Sequence, residues 1–563
     1  MIINNWSLRF PLLFLAAFTG YFMYLGFAPY YSKSAFYICL FFYIFFLQTK
    51  ANDKRGSYLL PYAWDVAFSF GTLYWLTNAI TYYGDFPPWA SILALFGLSL
   101  VLGIRSIILA AIWNGRDRNF ALLPLAFSGI TYLWYNLITN FNWLNFGYAN
   151  ANTLSQTLAP LGGVYLVQFF EFSAVTFVYV LVRKLIVARQ PNSGMSLRRQ
   201  TIDRQLRINF RTDVIVLALL TGGFAAAHFY PMQFTKPEGK PITVALVQPN
   251  IESRAKWDPQ QIPAQVDTYK YLIQRGQQAT TEPQLWILPE SAVMQIFTGN
   301  PQGQQEQILS HFYILVASSN ADMLVGSLTA SNEQGQTRYY NSALMLSQVG
   351  LIKRAVTANN QILHTPELDI LVQKYDKTTL VPFGEYLPLG GLLSHLPIPF
   401  FKELYAAQFT AGNRNQANMR TQYSLAHTLV CYDTLFADLV LRNVNDNTNV
   451  LLNITNDVWF GHVQGPDQHL NIARFRSLES QRYSLRDTNN GITAIINPQG
   501  KITALAPRDS EEVLVGQYLN YVGTTPYQAY YRWLNFAYAF TFIALYALIR
   551  GVVSLFTRNN RYV

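Results

Sequence analysis

The sequence predicts a polytopic α-helical membrane bundle joined to an α/β sandwich domain that stands outside the membrane. Three observations carry that expectation. Of 563 residues, 51% are hydrophobic and 13% charged, against roughly 25% charged in ordinary soluble domains. The apolar residues gather into runs long enough for lipid, and after residue 235 the texture changes to short β-rich stretches separated by polar or helical ones. The formal charge of +10 is not by itself a sign of nucleic acid, because a basic membrane protein keeps its Lys and Arg in cytoplasmic loops.

Crossing about 30 Å of hydrocarbon takes roughly 20 helical residues. Runs of that kind lie near 10–28, 61–83, 89–112, 120–139, 161–187, 213–230 and 530–554, and a shorter one at 35–48 completes a hairpin with the first. No small-residue cleavage site follows the first run ahead of a soluble domain, so it is expected to be retained rather than removed as a signal peptide. Lys50, Lys54 and Arg55 follow the second run, Arg116 and Arg118 the fourth, and a basic loop extends from Arg183 to Arg211, whereas 84–88 and 140–160 hold neither Lys nor Arg. This alternation predicts an inner amino terminus and a seventh segment running outward. The expected organisation is therefore a bundle of about seven segments over 1–234, an outer domain over 235–522, and a last membrane helix with a short inner tail over 523–563. Asp65, Arg105 and Glu171 lie within membrane runs, where charge is costly unless paired or turned to protein. Asp65 and Arg105 fall near the cytoplasmic ends of adjacent segments and are expected to pair; Glu171 is expected to face protein.

In the outer domain, Ile242–Val247, Leu285–Leu288, Met323–Gly326, Ala343–Leu346, His427–Val430, Asn449–Ile454 and Ile492–Ile496 read as strands interleaved with helices, the pattern of an α/β sandwich. No internal repeat or low-complexity tract is present, and the 189–211 loop, with Pro191, Asn192, Ser193 and Gly194, reads as a solvated connector.

Two cysteines, Cys39 in an aromatic apolar run and Cys431 far away in a polar region, do not suggest a disulfide. Cys431 follows the apolar Leu429-Val430 and precedes Tyr432-Asp433, which puts a thiol at a strand end where a tight turn can present it. Alone, such a Cys is more often a small buried hydrophobe. Two further segments change the weighing. Leu285-Trp286-Ile287-Leu288-Pro289-Glu290 ends a strand on a carboxylate, and Tyr375 to Glu385 places Lys377 and Glu385 around a Pro382-Phe383-Gly384 turn.

In that chain order Glu290, Lys377 and Cys431 resemble the catalytic residues of the nitrilase, or carbon-nitrogen hydrolase, superfamily, and within it the apolipoprotein N-acyltransferases. The resemblance runs over nearly the whole chain: Phe27-Ala28-Pro29, Trp143 to Tyr148, Ala159 to Gly163, Lys256-Trp257-Asp258, Tyr340-Asn341-Ser342, Asn456 to Phe460, Gln468-His469, Arg474 and Thr488 to Thr493. It implies a nitrilase-like αββα sandwich in the periplasm, carried by a multi-pass protein of a Gram-negative inner membrane. Glu290 would be the general base, Cys431 the nucleophile and Lys377 the stabiliser of the oxyanion, since a thiol with a pKa near 8.5 needs a carboxylate to take its proton and a fixed ammonium favours the charge that develops on the attacked ester. Glu385, Tyr432, Asp433 and Asn341 would support them, and Trp257, Phe383, Trp459 and Trp143 would line the lipid path.

The implied reaction is N-acylation of the α-amino group of a diacylglyceryl-cysteine on an apolipoprotein. A phospholipid donates the acyl chain, double displacement passes through a thioacyl-Cys431 intermediate, and the step is the last of lipoprotein maturation. A membrane-tethered nitrilase-type amide hydrolase is the alternative enzyme, and a transporter or lipid-binding receptor with an inactive domain is the alternative outside catalysis. Residues 387–409, rich in Leu and Phe beyond Glu385, read as an apolar lid or lipid-contacting arm.

The chain departs from relatives in three places. Thr131-Tyr132-Leu133-Trp134 stands for Glu-Trp-Leu-Arg, Asn140-Phe141-Asn142-Trp143 for Gly-Phe-Pro-Trp, and Asp433 for a glutamate. A stretch around 354–374 also reads as an insertion. No metal or cofactor is expected: His462 and His469 are two helical turns apart without a completing carboxylate, and His469 reads as structural. No Gly-rich phosphate loop occurs, and the Arg-rich stretch lacks the interleaved aromatics of a nucleic-acid binder.

Overall fold

The computed structural model describes residues 2–3, 6–51, 54–113, 120–188, 214–220, 222–223, 232–256, 258–278, 281–297, 312–316, 319–333, 335–348, 363–365, 370–395, 399–538 and 540. The chain divides into two compact units, one of residues 1–81, 85–232 and 530–563, the other of residues 82–84 and 233–529.

The first unit is helical: α1 (Trp6–Phe22), α2 (Lys33–Gln48), α3 (Lys54–Thr72), α4 (Leu76–Tyr83), α5 (Pro88–Trp113), α6 (Leu123–Leu133) and α7 (Ala159–Ala188). α1 packs on α3 and α3 on α5. The run at 61–83 is divided between α3 and α4, and α6 continues through a π-helical turn, Trp134–Ile138. α7 is interrupted at Gly162–Gly163, where Gly163 adopts φ 69°, a left-handed conformation that glycine takes at little cost. Among the described residues, Pro88–Trp113 and Leu154–Ile186 are long and apolar enough to cross a membrane, while Phe10–Gly26 and Lys33–Gln48 are apolar but shorter. Helix also covers 214–220, 222–223 and 526–538; residues 213, 221 and 224–230 of the 213–230 run, residues 541–554 of the last run, and the 189–211 loop lie outside the described residues.

The core of this unit is aromatic. Tyr43 lies against Trp64 with ring centroids 4.5 Å apart, and Phe127 stacks on Phe172 at 4.3 Å. Within it Asp65 and Arg105 form the expected pair, with Nη2–Oδ1 at 2.7 Å and Nε–Oδ2 at 3.1 Å. Ser106 Oγ donates to Asp65 at 2.7 Å, and the guanidinium lies 5.1 to 5.5 Å from the rings of Tyr135, Phe127 and Phe146. Thr131, one of the departures noted above, is 3.4 Å from Arg105 Nη1. Glu171 is buried and accepts from Tyr37 at 3.1 Å.

The second unit contains two sheets. Its strands are β1 (Thr235–Gln248), β2 (Leu285–Ile287), β3 (Val293–Phe297), β4 (Asp322–Glu333), β5 (Gln336–Gln348), β6 (Leu363–Thr365), β7 (Ile370–Asp376), β8 (Met419–Arg420), β9 (Leu425–Val430), β10 (Val450–Thr455), β11 (Tyr483–Thr488), β12 (Ala494–Ile496), β13 (Ile502–Leu505) and β14 (Glu512–Gly523). One sheet runs β14-β1-β2-β4-β5-β7-β6 with β3 paired to β4; the other runs β8 to β13 in chain order. β1, β2 and β4 are mutually parallel, as are β9, β10 and β11.

Alternation along the strands decides what lies between the sheets. Val244, Leu246, Leu285, Ile287 and Leu324 of the first sheet meet Val430, Val450, Leu452, Ile454 and Leu485 of the second in one core. The intervening Ala245, Val247, Trp286 and Met323 face the other way, onto Tyr269, Leu272 and Ile273 of helix α8 (Ile262–Gln277). On the far side, Leu429 and Leu451 pack on Val440 of α9 (Ala437–Asn443), and Ala494 and Ile496 pack on Leu470 and Ala473 of α10 (Gly465–Ser480). The layers are thus helix, sheet, sheet, helix, as the α/β sandwich reading expects. The seven strands read from sequence are all present; β3, β6, β7, β8, β11, β13 and β14 are additional.

Candidate active site

Three strand ends converge on one cluster. Glu290 follows β2, where Leu288 N–H donates to the Leu324 carbonyl at 2.8 Å. The residue is 5% exposed. Lys377 follows β7, its backbone N–H donating to Asn341 O and its carbonyl accepting from Gly412 N–H, each at 2.8 Å. Its ammonium, 1% exposed, lies 3.2 Å from Glu290 Oε1 and 2.7 Å from Glu385 Oε1.

Glu385 is fixed from the other side, since its Oε2 accepts Val381 N–H at 2.8 Å. Asn341 closes the ring, its amide Nδ2 donating to Glu290 Oε1 at 2.7 Å and to Glu385 Oε1 at 3.0 Å. Carboxylates only accept, so these two bonds fix which end of the Asn341 amide faces them. Burial disfavours the Lys377 charge, but Glu290 and Glu385 override it and hold the ammonium well above the usual lysine range.

Cys431 comes from the end of β9, with φ 48° at the first residue of the 3-10 turn Cys431–Leu435. Left-handed backbone costs a non-glycine residue roughly 1–2 kcal/mol, so the turn is held by its surroundings. Asp433 accepts from Thr379 N–H at 2.7 Å, Thr378 N–H at 3.2 Å, Tyr375 OH at 3.1 Å and Val430 N–H at 3.3 Å. It thereby ties the cysteine turn to the segment that carries Lys377. Burial raises the Asp433 carboxyl to about 6, against the pull of Lys377 and these N–H groups.

His469 of α10 lies with Nε2 3.3 Å from the Cys431 carbonyl oxygen and Nδ1 2.8 Å from Asp457 Oδ1. Arg486 of β11 completes this buried chain at 2.7 Å from Asp457 Oδ2. Burial would raise Asp457; Arg486 and His469 instead hold it at about 2. Cys431 is 8% exposed. Burial pushes it above its usual range, the Glu290 carboxylate adds to that, and Lys377 opposes it. A protonated sulfur thus lies in the fields of a carboxylate and an ammonium, which can support proton removal and attack on a carbonyl carbon followed by charge stabilisation.

Of the residues singled out from sequence, Glu290, Lys377, Cys431, Glu385, Asn341 and Asp433 are brought together. Tyr432 is buried beside them, edge-on to Phe436 at 5.4 Å. Phe383 and Trp459 are 48% and 36% exposed. Trp257 lies outside the described residues. Trp143 belongs to the helical unit, where it is buried against Trp75 at 4.7 Å. Part of the 354–374 stretch also falls outside the described residues. In the arm beyond Glu385, Leu389 and Leu392 are 75% and 70% exposed.

From sequence His469 reads as structural, and Asp457, Arg486 and Gly326 carry no assigned role. The Asn456 to Phe460 and Gln468-His469 blocks were the available signal, but the fold is what puts them behind Cys431. Among the described residues no cluster of His, Cys, Asp and Glu could hold a metal ion.

Comparison with known proteins agrees over both units. Residues 243–527 match the carbon-nitrogen hydrolase family and residues 19–175 the apolipoprotein N-acyltransferase N-terminal domain. The chain is similar to the apolipoprotein N-acyltransferase of Pseudomonas syringae, with 32% identity over 82% of this chain and 81% of that protein. It is likewise similar to that of Haemophilus ducreyi, with 28% identity over 87% and 88%, and to that of Geobacter metallireducens, with 30% identity over 83% and 82%. With the nitrilase-type sandwich, the buried Glu-Lys-Cys cluster and kinship over most of its length, the chain belongs to the apolipoprotein N-acyltransferase family.

Proposed function

We propose that this acyltransferase works by two displacements at Cys431 with a phospholipid as acyl donor. Glu290 Oε1 is occupied by Asn341 and Lys377, which leaves Oε2 to take the thiol proton. The sulfur attacks the acyl ester carbon, and Lys377 stabilises the oxyanion. The C–O bond breaks, the lysophospholipid oxygen takes the proton from Glu290, and a thioacyl-Cys431 remains. The α-amine of a diacylglyceryl-cysteine then attacks the thioester; its proton passes to Glu290 and on to the departing sulfur, restoring the thiol. A thioester suits this second step because amines attack it readily while the buried site limits water.

The observation that carries the reading is the Lys377 ammonium clamped between Glu290 and Glu385 in the field of a protonated, buried thiol. Phe383 and Trp459 are assigned to the lipid path, and the exposed Leu389 and Leu392 to contact with lipid. The organisation that fits both substrates is a multi-pass inner-membrane bundle over 1–234, a periplasmic catalytic domain over 235–522 and a returning helix over 523–563.

The test is mass spectrometry of purified protein incubated with labelled phospholipid alone. A fatty-acyl adduct on the Cys431 peptide with one equivalent of lysophospholipid is expected, and addition of a diacylglyceryl peptide should discharge it as N-acyl product. Cys431→Ala should lose at least about 10³-fold in activity. Release of free fatty acid without an adduct, or turnover by Cys431→Ala, would reject the mechanism.

A further inference from the structure

Lys256 is 2% exposed and has no part in the mechanism above. Its ammonium lies 3.3 Å from the carbonyl oxygens of both Glu290 and Ser291. Ser291 adopts φ 53°, a left-handed conformation that a serine holds only under constraint. Lys256 itself is delivered rigidly. The Gln265 amide of α8 donates to Ala255 O at 2.7 Å, and Asn489, at the end of β11, takes Ile251 N–H on Oδ1 at 3.2 Å and donates Nδ2 to Ile251 O at 2.7 Å.

Burying an ammonium is costly unless something is gained. A methionine of similar length would fill the space without that cost, leaving the two carbonyls without their shared donor. The charged groups facing the ammonium are Glu290 and Asp487 of β11, and burial lowers Lys256 to about 7 against the pull of both. Burial pushes Asp487 well up; the direct contacts of the ammonium are with the Glu290 and Ser291 carbonyls, so geometry ties Lys256 to the residue that carries the Glu290 carboxylate.

We propose that Lys256 is the positioning residue of the proton acceptor, its ammonium gripping the Glu290 and Ser291 carbonyls so that the Glu290 side chain meets the Cys431 thiol; this rests on the reading of Glu290 as the base. Lys256 touches neither substrate nor sulfur. Its loss therefore slows proton removal without weakening phospholipid binding.

The experiment follows single-turnover formation of the thioacyl enzyme on full-length protein in mixed micelles of phosphatidylethanolamine, with the thermal midpoint of each variant measured alongside. Lys256→Met is expected to lower the rate constant about tenfold or more, as for loss of charged hydrogen bonds, at unchanged KM for phospholipid. Lys256→Arg, which keeps the charge, is expected to recover most of that loss. A wild-type rate constant in Lys256→Met overturns the proposal, as does a loss carried by KM. If Lys256→Met does not fold, Lys256→Gln takes its place under the same criteria. Glu290→Gln separates the two ideas: if it is inactive while Lys256→Met is fully active, only the Lys256 role falls, whereas turnover by Glu290→Gln removes the base itself.

Discussion

Glu290 can end its strand where it does because Gly326, on the adjacent β4, has no side chain. A Cβ there would lie 2.2 Å from the Pro289 carbonyl oxygen and 2.7 Å from the Glu290 Cα, and backbone on that side cannot give way cheaply. Gly326→Ala is therefore expected to displace Glu290, costing about 1–3 kcal/mol of stability and on the order of 10²-fold in thioacyl formation, read by denaturant unfolding and single-turnover kinetics. The reacting residues were legible in the sequence because each ends a short motif whose chemistry is recognisable. Gly326 was not, since Val325-Gly326-Ser327 reads as ordinary strand and the approach of Pro289 exists only once β2 and β4 pair. Lys256 was visible as part of Lys256-Trp257-Asp258, yet nothing local says that its amine reaches residues 290 and 291.

Strand β9 delivers Cys431 and carries His427 in its middle. That imidazole is fully buried and burial lowers it to about 3, with Nδ1 3.1 Å from Asn418 Oδ1 and Nε2 unpaired among the described residues. The ring is neutral in the fold and has an ordinary value near 6.5 in the unfolded chain. The unfolded state therefore binds the extra proton first, and stability is lost as pH falls from about 6.5 toward 3. Asp433, raised to about 6, acts with the opposite sign, so the difference between wild type and variant isolates the histidine. His427→Asn is expected to flatten the fall of the thermal midpoint between pH 7 and 5; identical slopes would contradict this. At this scale the apolar strands were readable from their alternation. β11 was not, because Tyr-Ser-Leu-Arg-Asp-Thr looks solvent-facing, whereas Arg486 and Asp487 are both buried and Arg486 is answered by partners from β10, the Asp457 turn and α10.

The two units solve the problem of buried charge differently. In the helical unit the bidentate pair of Asp65 with Arg105 is enclosed by rings; around the sandwich's reactive cluster, the Glu290, Lys377 and Glu385 charges and the Arg486-Asp457-His469 chain are linked in series. Removing one member of a buried pair leaves the other uncompensated, at about 3–5 kcal/mol, while replacing both is far milder. Asp65→Leu is expected to lower the thermal midpoint in detergent sharply, and the Asp65→Leu, Arg105→Leu double variant to regain most of it; equal losses would show that the pair is not coupled. That pairing was legible from two charges in neighbouring apolar runs, whereas the break of α7 at Gly162–Gly163 was not, because it depends on how the chain re-enters the helix. Both cysteines of the molecule are free and buried, and the one at 431 rests as a thiol rather than a thiolate. Peroxides and disulfides react with the anion, so the same enclosure that obliges the enzyme to supply a base spares its sulfur from sulfenic acid and from mixed disulfides.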